Sequence, residues 1–143
     1  MFNLSVVTPT QKLVSDQAMV EVFVPSYRGE LNILEGHSPL LTTLTEGVLR
    51  YKLQDDGGEK AVAISWGYCE VTPTGVSIMA ETAETPEQID VARAKDALKK
   101  AESELLREDS QPEDIEKYHR KRMRAEARIN AVSYTHLTLP TKA

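Results

Sequence analysis

Residues 29–41, GELNILEGHSPLL, set two carboxylates and an imidazole close together: Glu30, Glu35 and His37. Such a set can ligate a divalent cation, or a carboxylate and the imidazole can share acid–base work. The ligand count argues against both. No second histidine lies nearby, since His119 and His136 stand about eighty or more positions further on. The single cysteine, Cys69, rules out an internal disulfide and a multi-cysteine zinc site. It sits in an alternating segment beside Trp66 and Tyr68, with no base near it in sequence, so a buried inert thiol is expected. The chain has no glycine-rich phosphate loop of the usual kinds, no nucleophile elbow and no HExxH. No catalytic residue and no metal site are expected, and the chain reads as a non-enzyme.

The same stretch makes better sense as a surface. Gly29 and Gly36 permit tight turns and Pro39 stiffens the exit. Leu31, Ile33 and Leu34 are expected to anchor in a core while Glu30, Glu35 and His37 stay near an edge. The surroundings are strand-like over residues 1–83. Alternation puts Leu4 and Val6 on one face, then Val20, Val22 and Val24 on one face. VLRYKL and KAVAISW flank the turn-rich QDDGGE, and YCEV and GVSIMA flank TPT, giving two hairpins. Many short strands without intervening helices predict a flattened antiparallel β-sandwich or barrel.

The composition changes at Glu84. TPEQIDVARAKDALKKAESELLRE is helical, with Thr85 as N-cap, Pro86 in the first turn and Gln88 completing a capping box. Val91, Ala94, Leu98, Ala101 and Leu105 form a narrow apolar stripe. DSQP breaks this helix, and Ser110 with Glu113 opens a second one. Its stripe runs Ile115, Tyr118, Ala125 and Ile129, interrupted by Arg122. The expectation is an antiparallel α-helical hairpin over residues 84–131, held by thin, alanine-rich stripes and therefore able to rearrange. Residues 132–143, VSYTHLTLPTKA, fit neither half. They are expected to stop the helix, and 132–141 read as a translated sequencing adapter, so 132–143 are set aside as a non-native tail.

The chain has 143 residues and a net charge of −5. That acidity argues against nucleic acid as a partner. No apolar run is long enough to span a bilayer, and the N-terminus lacks a secretory signal, so a cytoplasmic setting without membrane insertion is expected. The charge is unevenly spread. Residues 1–83 carry ten acids against five bases, whereas residues 117–128 carry six bases against one acid. A basic helix on an acidic protein suits an acidic partner, and it also suits plain solvation.

GELNILEGHSPLL resembles the GELGILPGHAPLL signature of the epsilon subunit of bacterial rotary (F-type) ATP synthases. SVVTP, VAISWGYCEVTPTGVSIMAETAE and IDVARAKDALKKAE follow in that family's order, so the resemblance runs from Met1 to Ala131. Asn32 replaces a usual glycine and Glu35 a usual proline. The resemblance implies a non-catalytic central-stalk subunit of a proton- or sodium-driven synthase, peripheral at the cytoplasmic face of the bacterial inner membrane. It implies a barrel that binds the gamma subunit and rests on the c-ring, with Glu30 and His37 at the ring contact. It also implies a hairpin that can extend to the catalytic alpha and beta subunits and inhibit ATP hydrolysis. Arg120, Lys121, Arg122, Arg124 and Arg128 would then meet acidic loops of beta.

IDVARA further resembles the motif of epsilon subunits that bind regulatory ATP and so keep the hairpin folded. Glu84, Ile89, Asp90, Arg93, Ala94, Arg124 and Arg128 match that site, while Lys100 stands where an arginine is preferred. Asp90 and Arg93 are also spaced to pair on a helix surface without any ligand. Without the resemblance, the residues also fit a free-standing β-sandwich adaptor whose basic hairpin binds an acidic protein.

Overall fold

The computed structural model describes residues 2–54, 58–107, 109 and 111–138, with side chains described up to residue 133. Nine strands come first: β1 (Asn3–Val7), β2 (Lys12–Ser26), β3 (Gly29–Leu34), β4 (Leu40–Leu44), β5 (Gly47–Leu53), β6 (Glu59–Ile64), β7 (Gly67–Thr72), β8 (Gly75–Ala80) and β9 (Ala83–Glu84). A 3-10 turn at Pro86–Gln88 leads to α1 (Val91–Leu105) and α2 (Pro112–Thr138). The sheet order is β1-β8-β7-β4-β2-β5-β6-β9, with β3 on β2, and β1 also pairs with β2. The sheet therefore curls until β1 is held on both sides, which makes the flattened barrel. Both expected hairpins form, β5–β6 and β7–β8.

The pairing departs from the expectation in one place: β1 runs parallel to β8. It joins sequence-distant strands, antiparallel to β2 on one side and parallel to β8 on the other, and that closes the barrel. Alternation from both layers fills the interior. Leu4, Val6, Val22, Val24, Ile33, Leu49, Val62, Val71 and Ile78 are all at most 2% exposed. Burial of each such side chain contributes roughly 1.5–3 kcal/mol before entropy is charged against it. This main core lies wholly within residues 2–83.

Two inward assignments fail. Val20 faces out, because the β2–β5 register shifts between Met19 and Glu21, and Met19 takes the buried position instead. Leu34 is exposed too: it is one residue out of phase with Ile33, which points inward. Gly29 and Gly36 both have positive φ, 118° and 93°, as their turns require.

The hairpin differs from the expectation at both ends. Thr85 and Gln88 cap only the 3-10 turn, where Gln88 Oε1 accepts from the Thr85 N–H at 3.0 Å. The chain is extended again at Ile89, and α1 starts afresh with Asp90 as its N-cap. Asp90 Oδ1 accepts from the Arg93 backbone N–H at 3.1 Å, the usual cap bond. At the far end α2 runs to Thr138 instead of stopping near residue 132. Threonine and other β-branched residues cost only a few tenths of a kcal/mol each, too little to end a propagating helix. Ser110, expected to cap α2, lies outside the described residues, as does Pro140.

The two helices pack along each other through Ala94 and Ala101 of α1 and Ala125 of α2, with Leu98, Leu105 and Ile129 half-buried. Ile115 is exposed, so the stripe of α2 begins later than its spacing suggests. A second set of alanines turns α2 toward the barrel. Ala127 and Ala131 pack on Ala63 of β6, with Val48 and Ile89 beside them. The hairpin is thus folded back on the β5–β6 side of the barrel.

Candidate functional site

Glu30 lies in β3 and Pro25 of β2 is its partner across the sheet. Its carboxylate takes both oxygens to Arg50 Nη2 at 3.1 Å. Arg50 in turn lies 4.1 Å over the ring of Phe23 and 3.7 Å from Glu59. A stacked guanidinium with a carboxylate on each side is a fixed unit, so Glu30 is presented in one orientation. His37 follows the turn at the other end of β3. Its backbone N–H donates to the Leu34 carbonyl, and Nδ1 lies 2.7 Å from the Ser38 carbonyl oxygen. A carbonyl only accepts, so Nδ1 carries a hydrogen in this contact. At about 3.3 Å per residue, Glu30 and Leu34 are roughly 13 Å apart along β3. Glu30 and His37 therefore mark two ends of one strand and do not form one cluster. Among the described residues no three His, Cys, Asp or Glu side chains come together to hold a metal.

The hairpin carries two concavities that share Arg128 in their walls. A cavity of about 200 Å³ is lined by Glu84, Gln88, Asp90, Arg93, Ala94 and Arg128. It forms where β9, the 3-10 turn, the start of α1 and the middle of α2 meet. Arg128 Nε donates to Glu84 Oε1 at 2.6 Å, tying α2 to the last strand of the barrel. Further along, α1 and α2 enclose a groove of about 630 Å³, whose lining includes Lys100, Tyr118, Lys121, Arg124 and Arg128. Arg124 Nε is buried without a hydrogen-bond partner, and the carboxylate of Glu104 lines the groove along with the cations. Arg128 lines both spaces.

The five α2 residues matched to a beta contact, Arg120, Lys121, Arg122, Arg124 and Arg128, do not form one face. Arg120 is exposed and pairs with Glu116, and Arg122 Nε lies 3.9 Å from Glu126. Lys121, Arg124 and Arg128 line the groove toward α1. In the folded hairpin, three of the five thus border the groove, Lys121 from an exposed position.

A further surface is absent from the motif reading. Trp66, Tyr68 and Met79 are 43–47% exposed, and Trp66 and Tyr68 meet edge to face at 6.1 Å. Register places Thr43, Tyr68, Met79 and Val7 side by side across β4, β7, β8 and β1. Val7, Tyr68 and Met79, with Pro9 and Trp66, border an apolar depression of about 420 Å³. The signal was present in SWGYCEV, where Trp66 and Tyr68 take the opposite phase to Cys69 and Val71.

Residues 1–86 match the ATP synthase Delta/Epsilon chain beta-sandwich domain, and residues 87–133 match the long alpha-helix domain of the same chain. The chain belongs to the ATP synthase delta/epsilon family. The ATP synthase epsilon chain of Bdellovibrio bacteriovorus is 42% identical over 129 residues, covering 90% of this chain and 92% of that one. That of Koribacter versatilis is 46% identical over 104 residues, covering 73% and 71%. The fold is shared with a chain of the Euglena gracilis mitochondrial ATP synthase OSCP/F1/c-ring structure. There the TM-score is 0.78 at 18% identity, over 95% of this chain and 81% of that one. A chain of the Tetrahymena thermophila mitochondrial central stalk/c-ring structure gives 0.63 at 10% identity, over 92% and 96%. Epsilon chains are non-catalytic subunits of the synthase, and this chain is one of that kind.

The residues that the resemblance matches to an ATP site do not all share one cavity. Glu84, Asp90, Arg93, Ala94 and Arg128 line the small cavity, and Arg124 stands in the adjoining groove. Ile89 is half-buried and packs at the alanine contact between α2 and β6. The surface pairing of Asp90 with Arg93 takes another form, since the bond runs to the backbone N–H of Arg93. Cys69 is fully buried, and burial pushes its thiol up to about 12, which fits an inert core group.

Proposed function

We propose that this chain couples and regulates a proton- or sodium-driven rotary ATP synthase from its central stalk. The barrel binds the gamma subunit and rests on the c-ring, and the hairpin acts as a brake on ATP hydrolysis. What carries this reading is the thin hold on α2. Alanines against alanines and the Glu84–Arg128 pair attach the helix to the barrel, whereas the barrel keeps a core of its own. An element so attached can leave at small cost, and a two-state element with a small gap is what a brake requires.

The apolar row through Tyr68, Met79 and Trp66 suits gamma, because an exposed patch of that kind marks a protein contact. Glu30 and His37 are assigned to the c-ring, with Arg50 holding Glu30 rigid. Release of the hairpin would free Lys121, Arg124 and Arg128 to join Arg120 and Arg122 in meeting acidic loops of the catalytic beta subunit, beside alpha. ATP is assigned to the folded form, its phosphates among Arg124, Arg128 and Lys100 and its base in the small cavity. A ligand that binds only the folded form shifts the population toward it. The chain would work as a peripheral subunit at the cytoplasmic face of the bacterial inner membrane. No described helix is long and apolar enough to cross a bilayer.

The test uses an alpha–beta–gamma assembly, with this chain or a version ending at Thr85, which retains β9. ATP hydrolysis is followed with and without excess ATP. Binding of both versions with inhibition by the longer alone supports the brake, and relief by ATP supports the nucleotide role. Inhibition by both would remove the hairpin from the mechanism. Failure of both to bind would favour the free-standing adaptor.

A further inference from the structure

We propose that Gln88 selects the nucleotide base, a role that rests on the ATP reading of the small cavity. The cavity places the Gln88 side chain with the carboxylates of Glu84 and Asp90 and the guanidinium of Arg128. The orientation of the Gln88 amide follows from its own bond: the Thr85 N–H can only donate, and it donates to Oε1. Gln88 is exposed at the edge of the cavity, and with Oε1 engaged its Nε2 hydrogens are the donor end that a bound ligand could take up. Asp90 uses Oδ1 on the Arg93 N–H, and Glu84 uses Oε1 on Arg128, so each carboxylate retains a second oxygen as acceptor.

The walls thus offer a hydrogen-bond donor beside carboxylate acceptors. Adenine presents the complement, a 6-amino donor next to a ring-nitrogen acceptor. Gln88 donates to the ring nitrogen while a carboxylate accepts from the amino group. Guanine and hypoxanthine carry a 6-oxo group in place of the amine, which sets carbonyl lone pairs against the carboxylate. A site that hydrogen-bonds one pattern rejects its reverse more strongly than it rejects a change of size. Gln88 lies outside the IDVARA motif and also holds the turn that shapes the cavity, so one residue does both tasks.

The substitution Gln88→Glu separates them. Glutamate keeps the acceptor for the Thr85 N–H, as in ordinary capping boxes, but removes the donor. Titration calorimetry of the full chain with ATP, GTP, ITP and inorganic tripolyphosphate gives the readout. The expected wild-type result is ATP bound at least tenfold more tightly than GTP or ITP. Gln88→Glu is expected to lose about tenfold for ATP, with tripolyphosphate affinity and the melting temperature unchanged. Gln88→Met, which is neutral and has no donor, should lose ATP affinity to a similar degree. Equal wild-type affinity for ATP and GTP, or unchanged ATP affinity in both variants, would overturn the role of Gln88 and leave the nucleotide site standing. A parallel loss for tripolyphosphate would also overturn it, as an effect of charge alone. Wild-type protein that binds tripolyphosphate but no nucleotide preferentially, or binds none of the four, would bring down the ATP reading as well.

Discussion

The barrel and the hairpin are built from different materials. The barrel buries Leu4, Ile33, Leu49 and Ile78 completely and pairs nearly every strand on both sides. The hairpin meets it through Ala127, Ala131 and Ala63, and through the Glu84–Arg128 ion pair, in which both side chains are about one-third exposed. The first arrangement resists change and the second invites it. On the proposed reading one chain supplies a fixed platform and a detachable arm, and the contrast can be tested by perturbing each part alone.

The largest effect is expected at Gly67. A Cβ there would lie 1.9 Å from the Met79 carbonyl oxygen and 2.8 Å from the Ala80 Cα, both backbone atoms of the paired strand β8. Gly67→Val should therefore part β7 from β8 and cost more than about 4 kcal/mol. Circular-dichroism melts would show it, and a variant melting like wild type would mean that the strands are not so tightly apposed.

Cys69 gives the next largest effect, through pH. The unfolded thiol loses its proton near pH 9, whereas the buried one keeps it to about 12. Stability from this group is therefore complete below pH 9 and is lost as pH rises from 9 to 12. Three pH units correspond to at most about 4 kcal/mol. Urea unfolding at a series of alkaline pH values should show a shallower decline in Cys69→Ala than in wild type. Identical slopes would mean that Cys69 is wet in the native state.

How much of this was legible beforehand depends on how local the cause is. The alternation of Leu4 and Val6, both strand hairpins and the stripe Ala94–Leu98–Ala101 are set by neighbours in sequence, and they could be read directly. Val20 could not, because a bulge between Met19 and Glu21 reverses its phase and arises from pairing with a distant strand. The parallel β1–β8 contact likewise depends on closure of the whole sheet. At the junction, Thr85 and Gln88 read as the start of the helix but cap only a 3-10 turn. The extended geometry at Ile89, which hands the helix start to Asp90, follows from how the turn sits beside β6 and α2. The motif IDVARA marked Asp90 and Arg93, but not Gln88, whose place in the cavity needs the fold of that turn.

A milder test bears on the arm alone. Ala127 is 3% exposed where α2 meets β6. Ala127→Leu should overfill this contact and cost the docked state about 1–3 kcal/mol, leaving the barrel core untouched. Tryptic cleavage within the lysine- and arginine-rich stretch 117–128 would accelerate by about fivefold or more, while the main thermal transition stays in place. A matching fall in the main transition would show that the two parts unfold as one and would erase the distinction between them.

The smallest effect, and the most discriminating, concerns Glu84. An ion pair this exposed is worth under about 1 kcal/mol, so Glu84→Gln should lower the docked population by no more than about fivefold. Salt adds the decisive term. Screening weakens the Glu84–Arg128 attraction, but it also relieves the mutual repulsion of Lys100, Lys121, Arg124 and Arg128 around the groove. In wild type the two effects oppose each other. In Glu84→Gln only the repulsion remains, so added salt should favour docking there more than it does in wild type. The distance between fluorescent labels on β6 and α2, followed from low to high salt in both proteins, measures the difference. The same salt response in both would mean that the Glu84–Arg128 pair contributes no net attraction and that the alanine contact alone keeps the arm down.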